Sequence, residues 1–215
     1  MIRLAILASG EGTNLEAVQR AIEGGRLDAR IVVVLSDRAG AGALARARRH
    51  GLEAVVVERR AFADRDGHER AMVEAARRAG GVDLTVLAGY LRIAGPVLRN
   101  ALWPMINLHP ALLPSFPGLH AVEEALAAGV RVTGCTVHFV DDAVDSGPII
   151  AQRAVPVREE DDAGRLLARI HRAEHRLLPE VIGLMAAGRV RLEGRRVRIL
   201  AAAAAPTRKP NGAEV

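Results

Sequence analysis

The chain is 215 residues long and half hydrophobic, so it can bury a sizeable core without disulfides or metal. Its one cysteine, Cys135, excludes a disulfide framework and fits a reducing compartment. The net charge of +5 sits in residues 189–215, where seven basic groups meet two acidic ones. The rest is balanced, and aromatics at 2% offer no stacking platforms, which argues against nucleic acid as a partner.

In chain order, Arg3–Ala8 is an apolar run ended by Ser-Gly and reads as a buried strand. It is too short for the core of a signal segment, and no later run is long enough for a membrane span. A cytoplasmic protein without membrane contact is expected. Asn14–Ile22 places Leu15, Val18 and Ile22 on one helical face. Arg30–Leu35 is a second strand, Ala41–His50 an alanine-rich helix, Glu53–Glu58 a third strand and Gly67–Ala79 another helix. Leu84–Ala88 and Met105–Leu108 add two more strands. This alternation predicts βαβ units, hence an α/β fold with a doubly wound, mostly parallel sheet and sites at the carboxyl ends of its strands.

The pattern changes after residue 130. Val132–Val140 and Pro148–Val157 are long β-rich runs joined by turn residues, which predicts an antiparallel hairpin at the sheet edge in the C-terminal half. Asp161–Ala187 reads as a long helix closed by Gly188. Val190–Leu192 and Arg196–Ile199 read as a small terminal hairpin, and Ala201–Val215 as a disordered tail. The expected organisation is one domain over residues 1–200, with a phosphate-binding half at 1–100 and a catalytic half at 101–200.

Polar chemistry concentrates in a few stretches. Ser9-Gly10-Glu11-Gly12-Thr13-Asn14 lies between a strand and a helix, where free N–H groups make an anion site. It suits a phosphate monoester held by Gly12, Thr13 and Asn14, with Thr13 or Asn14 as a helix cap. A dinucleotide fingerprint would need a third glycine where Leu15 stands, although Asp37 at the end of the second strand keeps a dinucleotide-binding module open. Arg92, in Gly89-Tyr90-Leu91-Arg92-Ile93-Ala94, follows the fourth strand at the expected site edge, where a surface arginine beginning the next helix is an equal reading. Asn107 and His109 stand two residues apart at a strand end, so an amide and an imidazole project from one face. Pro110, Pro114 and Pro117 stiffen the chain beyond them. Asp141, Asp142 and Asp145 crowd the turn of the edge hairpin, and one of them is a plausible partner for His109. His171-Arg172-Ala173-Glu174-His175 matches a short inverted zinc-peptidase pattern, for which a polar helix face is the plainer reading. Cys135, in an apolar strand without a neighbouring base, reads as buried and inert.

Taken in order, Ser9 to Leu15, Leu87 to Ile93, Asn107 to Gly118 and Gly134 to Ile149 resemble the phosphoribosylglycinamide formyltransferases, folate-dependent enzymes of purine synthesis. The resemblance runs over about residues 1–200. It implies transfer of a formyl group from 10-formyltetrahydrofolate to the amine of glycinamide ribonucleotide, with small-molecule partners only, no metal, and a monomer or homodimer. It assigns catalysis to Asn107, His109 and Asp145. The first two would stabilise a tetrahedral oxyanion, while Asp145 tunes His109 and helps relay a proton. Gly12, Thr13, Asn14 and Glu174 fall on the ribonucleotide side. Arg65, Leu91, Arg92, Ile93, Ala94 and Asn107, with Asp141, Asp142, Ala143, Val144 and Asp145, fall on the folate side. Glu11 departs from the small or amide residue of the family loop and should point outward. Methionyl-tRNA formyltransferase and formyltetrahydrofolate deformylase share the Asn-x-His…Asp chemistry. They resemble the chain less, because each carries a further domain.

Overall fold

The first strand, β1 (Ile2–Leu7), shows why the sheet is covered on both sides. Leu4 and Ile6 face one core, Ala5 and Leu7 the other, and all four are fully buried. Burying side chains of the size of Leu4 and Ile6 contributes about 1.5–3 kcal/mol each. The computed structural model describes residues 1–201, and the tail expected beyond them lies outside the described residues.

Beside β1 lie β2 (Ala29–Ser36) and β3 (Ala54–Val56) on one side. On the other lie β4 (Leu84–Leu87), β5 (Met105–His109), β6 (Val132–Phe139) and β7 (Ile149–Pro156). The order is β3-β2-β1-β4-β5-β6-β7. The first five strands are parallel and the last two antiparallel, so the fold is the expected doubly wound, mostly parallel sheet with a hairpin at its edge. Helices α1 (Thr13–Glu23) and α2 (Gly42–Arg49) cover the Leu4 face, while α3 (Arg65–Arg78) and α4 (Pro96–Ala101) cover the Leu7 face. Helices α5 (Ala121–Ala127) and α6 (Ala163–Ala186) return to the first face. A separate hairpin, β8 (Val190–Glu193) with β9 (Arg196–Ile199), follows as the sequence predicts. Among the described residues no helix is long and apolar enough to cross a membrane.

Two α-helices escaped the sequence reading. Helices α4 and α5 have six and seven residues, too short to display a period. The start of α4 is held from a distance: the Glu69 carboxylate of α3 accepts the Gly95 N–H at 2.6 Å and the Leu98 N–H at 3.0 Å. The cap of α1 also differs from expectation. It is Gly12 itself, at φ 76 and without a side-chain bond, because a Cβ there would lie 2.5 Å from Ala43 Cα. The strand order reverses between β1 and β4, and a crevice opens there at the carboxyl ends.

Candidate active site

A cleft of about 790 Å³ occupies that crevice. Its lining runs from Asn14, Glu174 and His171, through Asn107, His109 and Asp145, to Arg65, the Leu91–Ala94 loop and Val144. Asn107, His109 and Asp145, the three residues the resemblance assigns to catalysis, therefore border one space, on a strand end and on the loop beyond the next strand.

Asp145 is the hub of that constellation. Its Oδ2 accepts the Gly118 N–H at 2.8 Å and lies 3.3 Å from His109 Nδ1. Its Oδ1 accepts from Asn107 Nδ2 at 3.2 Å and lies 3.6 Å from His138 Nε2. Burial alone would raise this carboxyl. The His138 imidazole beside it and the Gly118 hydrogen bond, with the His109 ring nearby, outweigh it and hold the group below the ordinary aspartate range. Asp145 adopts a left-handed backbone, φ 50, which a non-glycine residue keeps only when its surroundings over-determine it.

The ring of His109, almost fully buried, is fixed from both ends. Nε2 faces the Phe116 carbonyl at 2.7 Å, and a carbonyl can only accept, so this nitrogen carries hydrogen. Phe116 offers that carbonyl from a left-handed backbone, φ 56, within the proline-stiffened loop. Nδ1 faces Asp145 Oδ2 at 3.3 Å. Asn107 is opposite His138 in the β5–β6 register, which brings its Nδ2 within 3.2 Å of His138 Nε2. Seen from Nδ2, the His138 and Asp145 acceptors are only about 70° apart, given their 3.6 Å separation. One N–H can serve both, which leaves the second for the cleft.

On the ribonucleotide side, Asn14 Nδ2 donates to Glu174 Oε2 at 2.9 Å, and both are buried. Burial pushes the Glu174 carboxyl up, against the Asn14 bond and the His171 charge, which pull it down. Among the described residues the Asn14 Oδ1 is buried without a hydrogen-bond partner. Gly12 and Thr13 stand at the α1 N-terminus behind Asn14 but do not border the cleft. Glu11 is exposed, as expected.

On the opposite side, Leu91, Ile93 and Val144 keep 44%, 60% and 48% of their surface uncovered although they line the cleft. Arg65 stands at the start of α3, its Nε 3.7 Å from Glu69. Arg92 is not free: its Nε donates to Asp37 Oδ2 at 2.6 Å, while Ser9 Oγ donates to Asp37 Oδ1 at 2.6 Å. Burial would raise the Asp37 carboxyl, but the Ser9 and Arg92 hydrogen bonds hold it low. Asp37 is buried and each of its oxygens is engaged inside the protein, which weakens the case for a dinucleotide module. Asp142 pairs with Arg99 and is itself almost fully exposed; Asp141 accepts from Ser146 Oγ at 2.6 Å. Ala143 completes the loop wall. The zinc-peptidase pattern finds no support either. Among the described residues no three metal-ligating side chains converge.

His138 is the residue the sequence reading missed. It is buried in β6 and hydrogen-bonded through Nδ1 to the Phe139 carbonyl at 2.8 Å. A polar residue inside an apolar strand was the available signal, but its place opposite Asn107 comes only from the pairing register.

Comparison with known proteins identifies the family. The formyl transferase family matches residues 2–182. Phosphoribosylglycinamide formyltransferase of Bacillus subtilis is 39% identical over 183 residues, covering 85% of this chain and 93% of the relative. The trifunctional purine biosynthetic protein adenosine-3 of Drosophila melanogaster is 40% identical over 189 residues. The match covers 86% of this chain but only 14% of that much longer protein. Glycinamide ribonucleotide transformylase 1 of Symbiobacterium toebii superposes with a TM-score of 0.91 at 49% identity, over 94% of this chain and 95% of its own. The chain belongs to the phosphoribosylglycinamide formyltransferase family of the formyl transferases.

Proposed function

We propose that the cleft transfers the formyl group of 10-formyltetrahydrofolate to the amine of phosphoribosylglycinamide, a one-carbon step of purine synthesis carried out in the cytoplasm. The observation that carries this reading is the meeting of Asn107, His109 and Asp145 between two unlike walls. One wall offers the buried Asn14–Glu174 pair, suited to ribose hydroxyls and an amine. The other offers uncovered Leu91, Ile93 and Val144, suited to the faces of a flat aromatic ligand, with Arg65 at the rim for a carboxylate.

In the reaction the amine nitrogen attacks the formyl carbon and the carbonyl pair moves onto oxygen. The bond from carbon to the folate nitrogen then breaks as that nitrogen gains a proton and the amine loses one. The second N–H of Asn107 and the imidazole of His109 stabilise the oxyanion, each such donor contributing about 3–4 kcal/mol. Asp145 fixes both donors and stands beside the path of the departing proton. No nucleophilic side chain takes part, in keeping with a Cys135 thiol that burial pushes up to about 12.

The test is a spectrophotometric assay of tetrahydrofolate release with phosphoribosylglycinamide, water alone, or charged initiator methionyl-tRNA as acceptor. Release that depends on the ribonucleotide is expected. Release without it, or only with the tRNA, would overturn the proposal.

A further inference from the structure

The loop from Asp141 to Ser146 carries Asp145 in its left-handed conformation, and the cleft side alone does not explain how it is held. At its neck the chain is tight: a Cβ on Gly147 would overlap the Phe139 carbonyl oxygen. Its outer side is gripped by two arginines. Arg99 of α4, 11% exposed, donates from Nη1 to the Ala94 carbonyl at 2.9 Å and from Nη2 to the Asp142 carboxylate. It therefore ties the Leu91–Ala94 loop to the Asp141–Ser146 loop. Arg195, in the turn of the β8–β9 hairpin, donates to the Ser146 carbonyl, and its Nη1 lies 3.6 Å from Asp141 Oδ2. The other Asp141 oxygen accepts from Ser146 Oγ, which closes a ring of bonds one residue from Asp145. The family match ends at residue 182, so this second grip comes from a segment beyond it.

We propose that Arg99 and Arg195 are positioning residues that brace the folate wall from behind, with the C-terminal hairpin serving as the outer support of the Asp145 loop. The ion pairs at this surface are individually weak, because exposed charges are screened. The guanidinium bonds to the Ala94 and Ser146 carbonyls, which fix backbone, are the stronger part. Their loss lets the two loops separate and Asp145 relax toward an ordinary backbone.

The proposal rests on the formyl-folate reading, so its test has two arms. In steady-state assays Arg195→Ala and Arg99→Met should each raise KM for the formyl folate about tenfold. KM for the ribonucleotide should stay within about twofold of wild type. Arg195→Lys, which keeps the charge but loses the fork, should restore only part of the difference. Independently of activity, amide hydrogen exchange should show lost protection at residues 141–147 and none at β1 or β4. Unchanged folate KM and unchanged exchange in the Arg195 variants would overturn the brace. Wild-type protein inactive with formyl folate, but with faster loop exchange in Arg195→Ala, would sink the functional reading and leave the brace standing.

Discussion

Replacing Asp145 by asparagine tests the hub of the site with almost no change of volume. Wild-type Asp145 presents two acceptors to Gly118 N–H, Asn107 Nδ2 and His109 Nδ1, with His138 Nε2 3.6 Å away. An amide presents one. If its oxygen keeps the Gly118 bond, its NH2 faces the Asn107 amide and His138; if it turns over, the NH2 meets the Gly118 N–H. Either way a buried donor is left unpaired, at a cost of about 1–3 kcal/mol in stability. The cost to catalysis is larger, because the charge that holds His109 and one N–H of Asn107 is gone. A loss of about 3 kcal/mol of transition-state stabilisation corresponds to roughly two orders of magnitude in turnover. The pH dependence has a definite sign. The folded carboxyl lies below the ordinary aspartate range, so its contribution to stability is present above about pH 4 and is lost as pH falls through the folded value. The stability gap between wild type and Asp145→Asn should therefore close on acidification. Thermal melts between neutral pH and pH 3, together with kcat on both proteins, read all three quantities. A folded variant within threefold of wild-type turnover, or a gap that widens in acid, would refute the reasoning.

Glu174 works in the opposite direction. Its carboxyl is raised by burial, so the folded protein holds the proton more tightly than the unfolded chain and loses stability as pH rises above about 4.5. Glu174→Gln should melt higher than wild type at neutral pH while KM for the ribonucleotide rises about tenfold; a lower melting temperature would count against it. Gly12→Ala should cost roughly 2–4 kcal/mol, from a left-handed backbone and an overlap with Ala43, and chemical denaturation would show it. Cys135, fully buried with its thiol pushed up to about 12, should react with an aromatic disulfide reagent at pH 8 only at the rate of unfolding. Fast labelling of the native protein would contradict its placement.

What the sequence revealed, and what it hid, follows from the range of the interactions. Alternating apolar residues on β1 and the spacing of Leu15 and Val18 are local, and they gave the sheet and its first helix correctly. The same holds for Asn107 and His109, two residues apart on one strand. The features it hid depend on partners far along the chain. Glu69 caps a helix that begins 27 residues later, His138 meets Asn107 through strand register, and Arg92 is claimed by Asp37 across 55 residues. The left-handed backbones of Phe116 and Asp145 carry no glycine to announce them. Asn14 looked like a helix cap and instead turned to Glu174, because Gly12 already makes the turn against Ala43.

The most direct measurement follows an isotopically labelled formyl group in a single turnover, with wild-type enzyme, formyl folate and phosphoribosylglycinamide, by mass spectrometry. The expected result is label on the glycinamide nitrogen with wild type, and orders of magnitude slower transfer with folded His109→Ala. Label appearing as free formate, or equal transfer by both proteins, would contradict the role assigned to the Asn107–His109–Asp145 site.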